Sequence, residues 1–225
     1  MSISIIITAG GIGKRMNANK PKQLIHLGDR TILQRTIECF YQFDQTSQIL
    51  LTLPHDWISY WEEECERSGF VVPHQIIQGG VERYDSIKNA LGYVTGDVVL
   101  VHDGVRPFVN HKTIGGVIDM LQTSKAVAPV LKIKHSMRRG DQYDNTAIPR
   151  SDFWEVQTPQ GFQRDIIESA YELPFSAAIT DDATLVEKSG ANVVLVDGNE
   201  ENIKITTPFD LKIAAVMISQ MDQTE

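Results

Sequence analysis

An alternation constrains this chain more than any other feature. Short runs rich in Ile and Val occur at residues 2–8 (SISIIIT), 48–53 (QILLTL), 74–78 (HQIIQ), 97–102 (DVVLVH), 126–131 (AVAPVL) and 193–197 (VVLVD). Several are almost unbroken in apolar residues, the pattern of strands buried on both faces. Between them the apolar spacing lengthens to three and four: Trp57, Ile58, Trp61 and Cys65 share a helical face, as do Tyr84, Ile87 and Leu91, and Ile114, Val117, Ile118 and Leu121. The last helix is marked by Thr207 as N-cap, Pro208 in the first turn and Asp210 near the positive helix end, ahead of Leu211, Ala214 and Ile218. Strands alternating with helices predict an α/β fold with a mostly parallel central sheet flanked by helices. Ligands of such folds gather at the carboxyl ends of the strands, so the residues that follow each strand matter most.

With 225 residues, 42% of them hydrophobic, the chain has material for one full core, and a single domain over 1–225 is expected. One stretch interrupts the rhythm. Residues 132–152 (KIKHSMRRGDQYDNTAIPRSD) are polar, basic at first and without helical spacing, and they read as an excursion from the domain. The formal net charge of −8 argues against coating nucleic acid or an anionic membrane, which both demand a basic face. Cys39 and Cys65 fit neither a zinc ligand set nor a disulfide framework and read as reduced thiols. The opening apolar run is too short for a signal segment, and no run approaches the ~20 residues of a membrane span. A cytoplasmic protein is expected.

Against that acidic balance stands AGGIGKRMNANKPK at 9–22. The first 28 residues carry Lys14, Arg15, Lys20 and Lys22 and no Asp or Glu. Glycines after the first strand let backbone amides approach phosphates. A Walker loop requires glycine where Thr8 stands and a hydroxyl where Arg15 stands; a dinucleotide fingerprint requires glycine where Met16 stands. What remains is a loop whose cations meet a triphosphate, weighed against a basic stretch that is merely solvated. The two differ in consequence: a fixed charge aimed at a transition state is worth about 3–4 kcal/mol, an exposed ion pair under ~1 kcal/mol.

AGGIGKRM, PKQ at 21–23, GGVERYDS at 79–86, VHDGVRP at 101–107, QTPQGF at 157–162, TDD at 180–182 and NIKITTPFDL at 202–211 together resemble the methylerythritol phosphate cytidylyltransferases of non-mevalonate isoprenoid synthesis. The motifs run in the family's order over nearly the whole chain. The resemblance implies a Rossmann-like nucleotidyltransferase fold and a homodimer whose protruding arms exchange between subunits, with 132–152 as the arm. It implies in-line attack of the alcohol phosphate, 2-C-methyl-D-erythritol 4-phosphate, on the α-phosphorus of CTP, with pyrophosphate leaving and a divalent ion, Mg2+, neutralising the triphosphate.

By the same resemblance Arg15 and Lys22 stabilise the crowded phosphoryl group, while Arg150, taken from the other subunit, and Lys204 hold the acceptor phosphate. Arg150 stands eight residues before Thr158, the family's spacing. CTP lies against Ala9, Gly10, Gly11, Gly13, Lys14, Gly79, Gly80 and Ser86. Asp103, Arg106, Ser136, Thr158 and Thr180 face the sugar alcohol, and Asp103 helps place the metal. Thr180 is also a candidate N-cap, and His102 reads as a packed strand residue rather than a base. The chain departs from the family in opening its loop with Thr8-Ala9-Gly10 rather than Ala-Ala-Gly. In the arm, Ser136 and Arg138 stand where the family carries Thr and Lys. A ribitol-5-phosphate cytidylyltransferase is the nearest rival, and a non-catalytic CTP sensor is the alternative from another class.

Overall fold

The structure, a computed structural model, describes residues 1–10 and 20–221. In chain order the strands are β1 (Ile3–Thr8), β2 (His26–Leu27), β3 (Arg30–Thr31), β4 (Gln48–Leu53), β5 (Gln75–Gln78), β6 (Val98–Asp103), β7 (Ala126–Lys132), β8 (Met137–Gly140), β9 (Asn145–Ile148), β10 (Trp154–Val156), β11 (Gln160–Gln163) and β12 (Val193–Asp197). The α-helices are α1 (Ile32–Phe43), α2 (Ile58–Ser68), α3 (Arg83–Leu91), α4 (His111–Met120), α5 (Arg164–Ala170), α6 (Asp182–Lys188) and α7 (Pro208–Met221). The expected α/β architecture is what forms.

The central sheet runs β5-β4-β1-β6-β11-β7. β7 is long enough to take β11 at Ala126 and Val127 and β10 at Val130–Lys132, while β12 lies parallel along Ala126–Val130 on its other edge. Strands β1, β4, β5, β6, β7 and β12 share one direction; β10 and β11 oppose it. Side chains alternate between the two faces. Ile5, Ile7, Leu51 and Leu100 pack with Phe40 of α1, Trp61 of α2 and Val117 of α4. Ile6, Leu50, Val99 and Val101 pack with Ile87 of α3, Ile167 of α5 and Leu185 of α6. Each fully buried aliphatic side chain of this kind contributes about 1.5–3 kcal/mol.

Two local devices fix what surrounds the carboxyl edge. α7 begins as its sequence predicts: the Thr207 hydroxyl accepts the Asp210 N–H at 3.2 Å, and the Asp210 carboxylate accepts the N–H groups of Thr206 and Thr207 at 2.8 Å each. The helix then packs Ala214 and Ile218 on Val105, Phe108 and Ile205, directly behind the strand ends. The excursion at 132–152 contains an exposed antiparallel hairpin, β8 with β9, followed by a short 3-10 turn at Arg150–Asp152. Gly140 closes that hairpin at φ 125°, where a Cβ would run into the Asp144 carbonyl. Among the described residues no helix is long and apolar enough to cross a membrane.

Candidate functional site

The carboxyl ends of β1, β5 and β6 open onto a cavity of about 420 Å³ lined by Ala9, Gly10, Lys22, Gly80, Ser86 and Lys204, among others. Its first wall begins where β1 ends. The Ala9 N–H reaches the Thr52 carbonyl at 3.0 Å, and the Ala9 carbonyl accepts a short hydrogen bond from the buried Gln23 amide. Gln23 lies in the 3-10 turn Lys22–Leu24, so this bond ties the turn to the strand end and brings Lys22 to the cavity. The compact PKQ motif thereby acquires a division of labour: Gln23 anchors and Lys22 faces the ligand space.

A second wall is made by close backbone approach. The Gly79 N–H bonds the Leu53 carbonyl at 2.7 Å; the Ser86 hydroxyl accepts the Gly80 N–H at 3.0 Å and donates to the Glu82 carbonyl at 3.1 Å. A Cβ on Gly80 would collide with Asp85, and one on Gly10 would lie 3.6 Å from the Ser86 oxygen. Ser86 is buried and engaged by its own turn, so it shapes this wall. The result is a wall of Ala9, Gly10 and Gly80 backbone with little side-chain bulk along one side of the cavity.

Across the cleft, Asp103 at the end of β6 gathers cations. Lys204 Nζ lies 2.9 Å from its carboxylate, Arg106 Nε 3.3 Å and Arg83 Nε 3.8 Å. Burial alone would push the Asp103 carboxyl up, but the charges of Arg83, Lys204 and Arg106 hold it well below the usual carboxylate range. Arg83 is matched separately, in a two-pronged pair with Asp182 at 3.0 and 2.7 Å, and Asp182 also accepts the Tyr171 hydroxyl at 2.6 Å. That leaves Arg106 and Lys204 sharing the charge of Asp103, a local excess of one positive charge. A second cavity of about 230 Å³ shares Arg83, Asp103 and Lys204 with the first and adds Arg106, Thr158 and Thr180.

Lys204 owes its position to its neighbours. Asn202 is buried, its amide donating to the Thr158 carbonyl at 2.8 Å; Ile205 is buried, its N–H on the Val105 carbonyl at 3.0 Å. Between two such anchors the residue at 204 projects into the cleft, where it is half exposed. Gln157 completes the frame by pairing both its amide atoms with the backbone of Asn199, at 3.0 and 3.2 Å. Arg106 donates to the Asn202 carbonyl at 2.7 Å. Motifs that are far apart in sequence, VHDGVRP, QTPQGF and NIKITTPFDL, are here one hydrogen-bonded unit.

The predicted residues divide into four groups. Ala9, Gly10, Lys22, Gly80, Ser86, Asp103, Arg106, Thr158, Thr180 and Lys204 line the two joined cavities, with Gly79 one residue behind. Gly11, Gly13, Lys14 and Arg15 lie outside the described residues. Arg150 and Ser136 do not line the cleft of their own chain: Ser136 is exposed at the start of the hairpin, and Arg150 donates to the Lys134 carbonyl beside Phe153. Arg138 is engaged within the arm by Asn145.

One reading needs correction. Thr180 is not the N-cap of α6; Asp181 is, because its carboxylate accepts both the N–H and the hydroxyl of Thr184, while Thr180 stays exposed with its oxygen 3.2 Å from that same hydroxyl. Both close cation contacts of Asp103, from Lys204 and Arg106, fall on the same carboxylate oxygen. Among the described residues no three His, Cys, Asp or Glu side chains gather as a metal site. The sequence reading also missed Arg83, which lines both cavities, although it stands within GGVERYDS. The signal available was a cation opening a helix after a glycine pair. Burial drives the Cys39 and Cys65 thiols up to about 12, which keeps both protonated.

A family model described as IspD, 2-C-methyl-D-erythritol 4-phosphate cytidylyltransferase, matches residues 3–220. The chain is 46% identical over 219 residues to the 2-C-methyl-D-erythritol 4-phosphate cytidylyltransferase of Phocaeicola vulgatus, covering 97% of this chain and 100% of that one. The protein of the same name from Bacteroides fragilis is 44% identical with the same coverage. A crystal structure of the 4-diphosphocytidyl-2C-methyl-D-erythritol synthase from Anaerococcus prevotii superposes with a TM-score of 0.82 at 29% identity, over 97% of this chain and 96% of that one. The 2-C-methyl-D-erythritol 4-phosphate cytidylyltransferase of Thermus thermophilus superposes with a TM-score of 0.76, also at 29% identity, over 97% and 100%. None of these findings favours the ribitol phosphate alternative.

Proposed function

Because the chain belongs to the family of 2-C-methyl-D-erythritol 4-phosphate cytidylyltransferases, and so is a nucleotidyltransferase, we propose that it transfers the cytidylyl group of CTP to 2-C-methyl-D-erythritol 4-phosphate. The products are 4-diphosphocytidyl-2-C-methyl-D-erythritol and pyrophosphate, a step of non-mevalonate isoprenoid synthesis. The observation that carries the reading is the convergence of Lys22, Arg83, Arg106 and Lys204 on one cleft beside a glycine-walled slot.

The chemistry needs positioned charge. A phosphate oxygen of the acceptor attacks the α-phosphorus, the bond to the β-phosphate oxygen breaks, and pyrophosphate departs with its electron pair. The nucleophile is already an anion, so no side chain has to remove a proton. Cytosine enters the slot walled by Ala9, Gly10, Gly79, Gly80 and Ser86. Lys22, together with Lys14 and Arg15 of the glycine loop, meets the triphosphate. Lys204 is half exposed and can exchange its Asp103 contact for the acceptor phosphate, with Arg150 of the partner subunit on the other side. Asp103, Arg106, Thr158 and Thr180 face the polyol; Ser136 approaches it from the arm. A divalent ion in this site would be held mainly by phosphate oxygens and water, as magnesium commonly is, since the described carboxylates form no cage for it.

The arm supports a homodimer, because Arg150 and Ser136 line neither of the two joined cavities of their own chain, and a second copy is the source of a complementary surface. A cytoplasmic setting agrees with two protonated, unpaired thiols. The test is pyrophosphate release from CTP with each alcohol phosphate in turn. Turnover with methylerythritol phosphate and little with ribitol 5-phosphate is expected. The reverse preference overturns the acceptor assignment, and CTP binding without turnover on either would leave a sensor.

A further inference from the structure

His102 is fully buried at the end of β6 and adjoins the reacting cleft without lining it. Its two ring nitrogens are both engaged: Nε2 lies 3.0 Å from the Arg106 carbonyl and Nδ1 lies 3.0 Å from the Thr158 hydroxyl. Its ring also packs edge-on against Phe40, with centroids 4.8 Å apart. A carbonyl can only accept, so Nε2 must carry a hydrogen. The ring is fully buried and both its nitrogens face neutral groups, so it is neutral and Nδ1 is a bare acceptor. The Thr158 hydroxyl is therefore the donor to Nδ1, while one of its lone pairs takes the Asp103 N–H at 3.2 Å.

One lone pair of Thr158 remains, and Thr158 lines the acceptor side of the cleft. We infer that His102 is a positioning residue that turns the Thr158 proton inward, so that Thr158 meets the acceptor only as a hydrogen-bond acceptor and grips a hydroxyl rather than a phosphate oxygen. This rests on the proposed function. The same ring of bonds closes through the Arg106 N–H on the Asp103 carbonyl at 3.1 Å, so His102 also sets the spacing of Asp103 and Arg106. The cleft thereby sorts the two ends of its substrate: cations for the phosphate, a committed lone pair for the polyol.

Steady-state kinetics on the full-length enzyme with CTP and methylerythritol phosphate test this. His102→Asn retains an acceptor near the Nδ1 position; His102→Gln retains only the donor toward the Arg106 carbonyl. His102→Gln is expected to raise KM for the alcohol phosphate about tenfold with KM for CTP within about twofold, and His102→Asn to raise it about threefold or less. Thr158→Val should match His102→Gln, and adding His102→Gln to it should raise that KM no further. Equal rises in both KM values, or additive rises in the double variant, overturn the inference. Nitrogen-15 long-range NMR of the wild-type histidine rings reads the tautomer directly and needs no variant to fold. A neutral ring with hydrogen on Nε2 supports the inference; hydrogen on Nδ1, or a cation at pH 7, overturns it. A wild type inert toward methylerythritol phosphate sinks the functional reading, whereas the tautomer is decided either way.

Discussion

The carboxyl edge of the sheet and the arm at 132–152 hold charged groups by opposite means. At the edge, Asp103 and Arg106 are each less than a tenth exposed, and each has partners that are themselves anchored in the core. In the arm, β8 pairs only with β9 among the described residues, Tyr143 is 92% exposed, and one tether to the body is an exposed ion pair between Lys134 and Glu200 at 2.5 Å. A charge can be aimed ahead of reaction only where its surroundings do not have to be ordered at that moment. The edge meets that condition within one chain. The arm meets it only against a second surface, which the proposed dimer would supply for Arg150.

The widest gap between the two regions is expected in rate. Lys22→Ala and Lys204→Ala should each lower kcat/KM by about a hundredfold to a thousandfold, the loss typical of one fixed donor, with little change in thermal midpoint. Unchanged turnover in either would remove the edge from the chemistry. In stability the order of importance shifts to Asp103. Asp103→Asn leaves the buried Arg106 without its carboxylate and should cost about 3 kcal/mol in chemical denaturation. A loss below ~1 kcal/mol would place the cluster with ordinary surface pairs.

Acid separates two edge groups from each other. The folded His102 sits near 4 against an ordinary value near 6.5, so the unfolded chain takes up the extra proton across that window. Its contribution is complete above about pH 6.5 and is lost as pH falls toward 4, roughly 3 kcal/mol at most. Asp103, with its carboxyl held low, keeps its charge throughout and loses its contribution only below the usual carboxylate range. Denaturation curves at pH 7 and pH 4.5 check this; a His102→Asn variant should lose most of the decline.

The arm should give the smallest effect per chain and the sharpest geometry. Arg150→Ala is expected to raise KM for the alcohol phosphate and slow turnover by about tenfold to a hundredfold in total. When Arg150→Ala and Lys22→Ala subunits are mixed at random, half the dimers are hybrids, each with one intact site of two. About a quarter of wild-type activity should then return. No recovery in a verified hybrid would mean that the arm serves its own chain.

Much of this was legible in the sequence. The runs at 48–53 and 193–197 are strands with those same bounds, and α7 starts on its predicted cap. Long buried strands announce themselves because both faces are apolar. β10 and β11 did not: three and four residues give no period, and all of Trp154, Glu155 and Val156 are exposed. The antiparallel insertion in the sheet was invisible for that reason. The cap at Asp181 rather than Thr180 was a choice between neighbours that only the direction of the chain entering α6 could make. Arg83 found Asp182 across 99 positions, a distance over which local pattern carries no information.

By itself the sequence determined the long buried strands, the helices between them and the set of cations available at strand ends, because periodicity and capping are local and act on neighbours in the chain. Tertiary structure alone decided which of those cations meet, which way the Thr158 proton points, and that Asp103 collects Lys204 and Arg106 instead of standing open. Such outcomes depend on distances and burial between residues far apart in the chain, where a few ångströms and the exclusion of water set the strength of every charge.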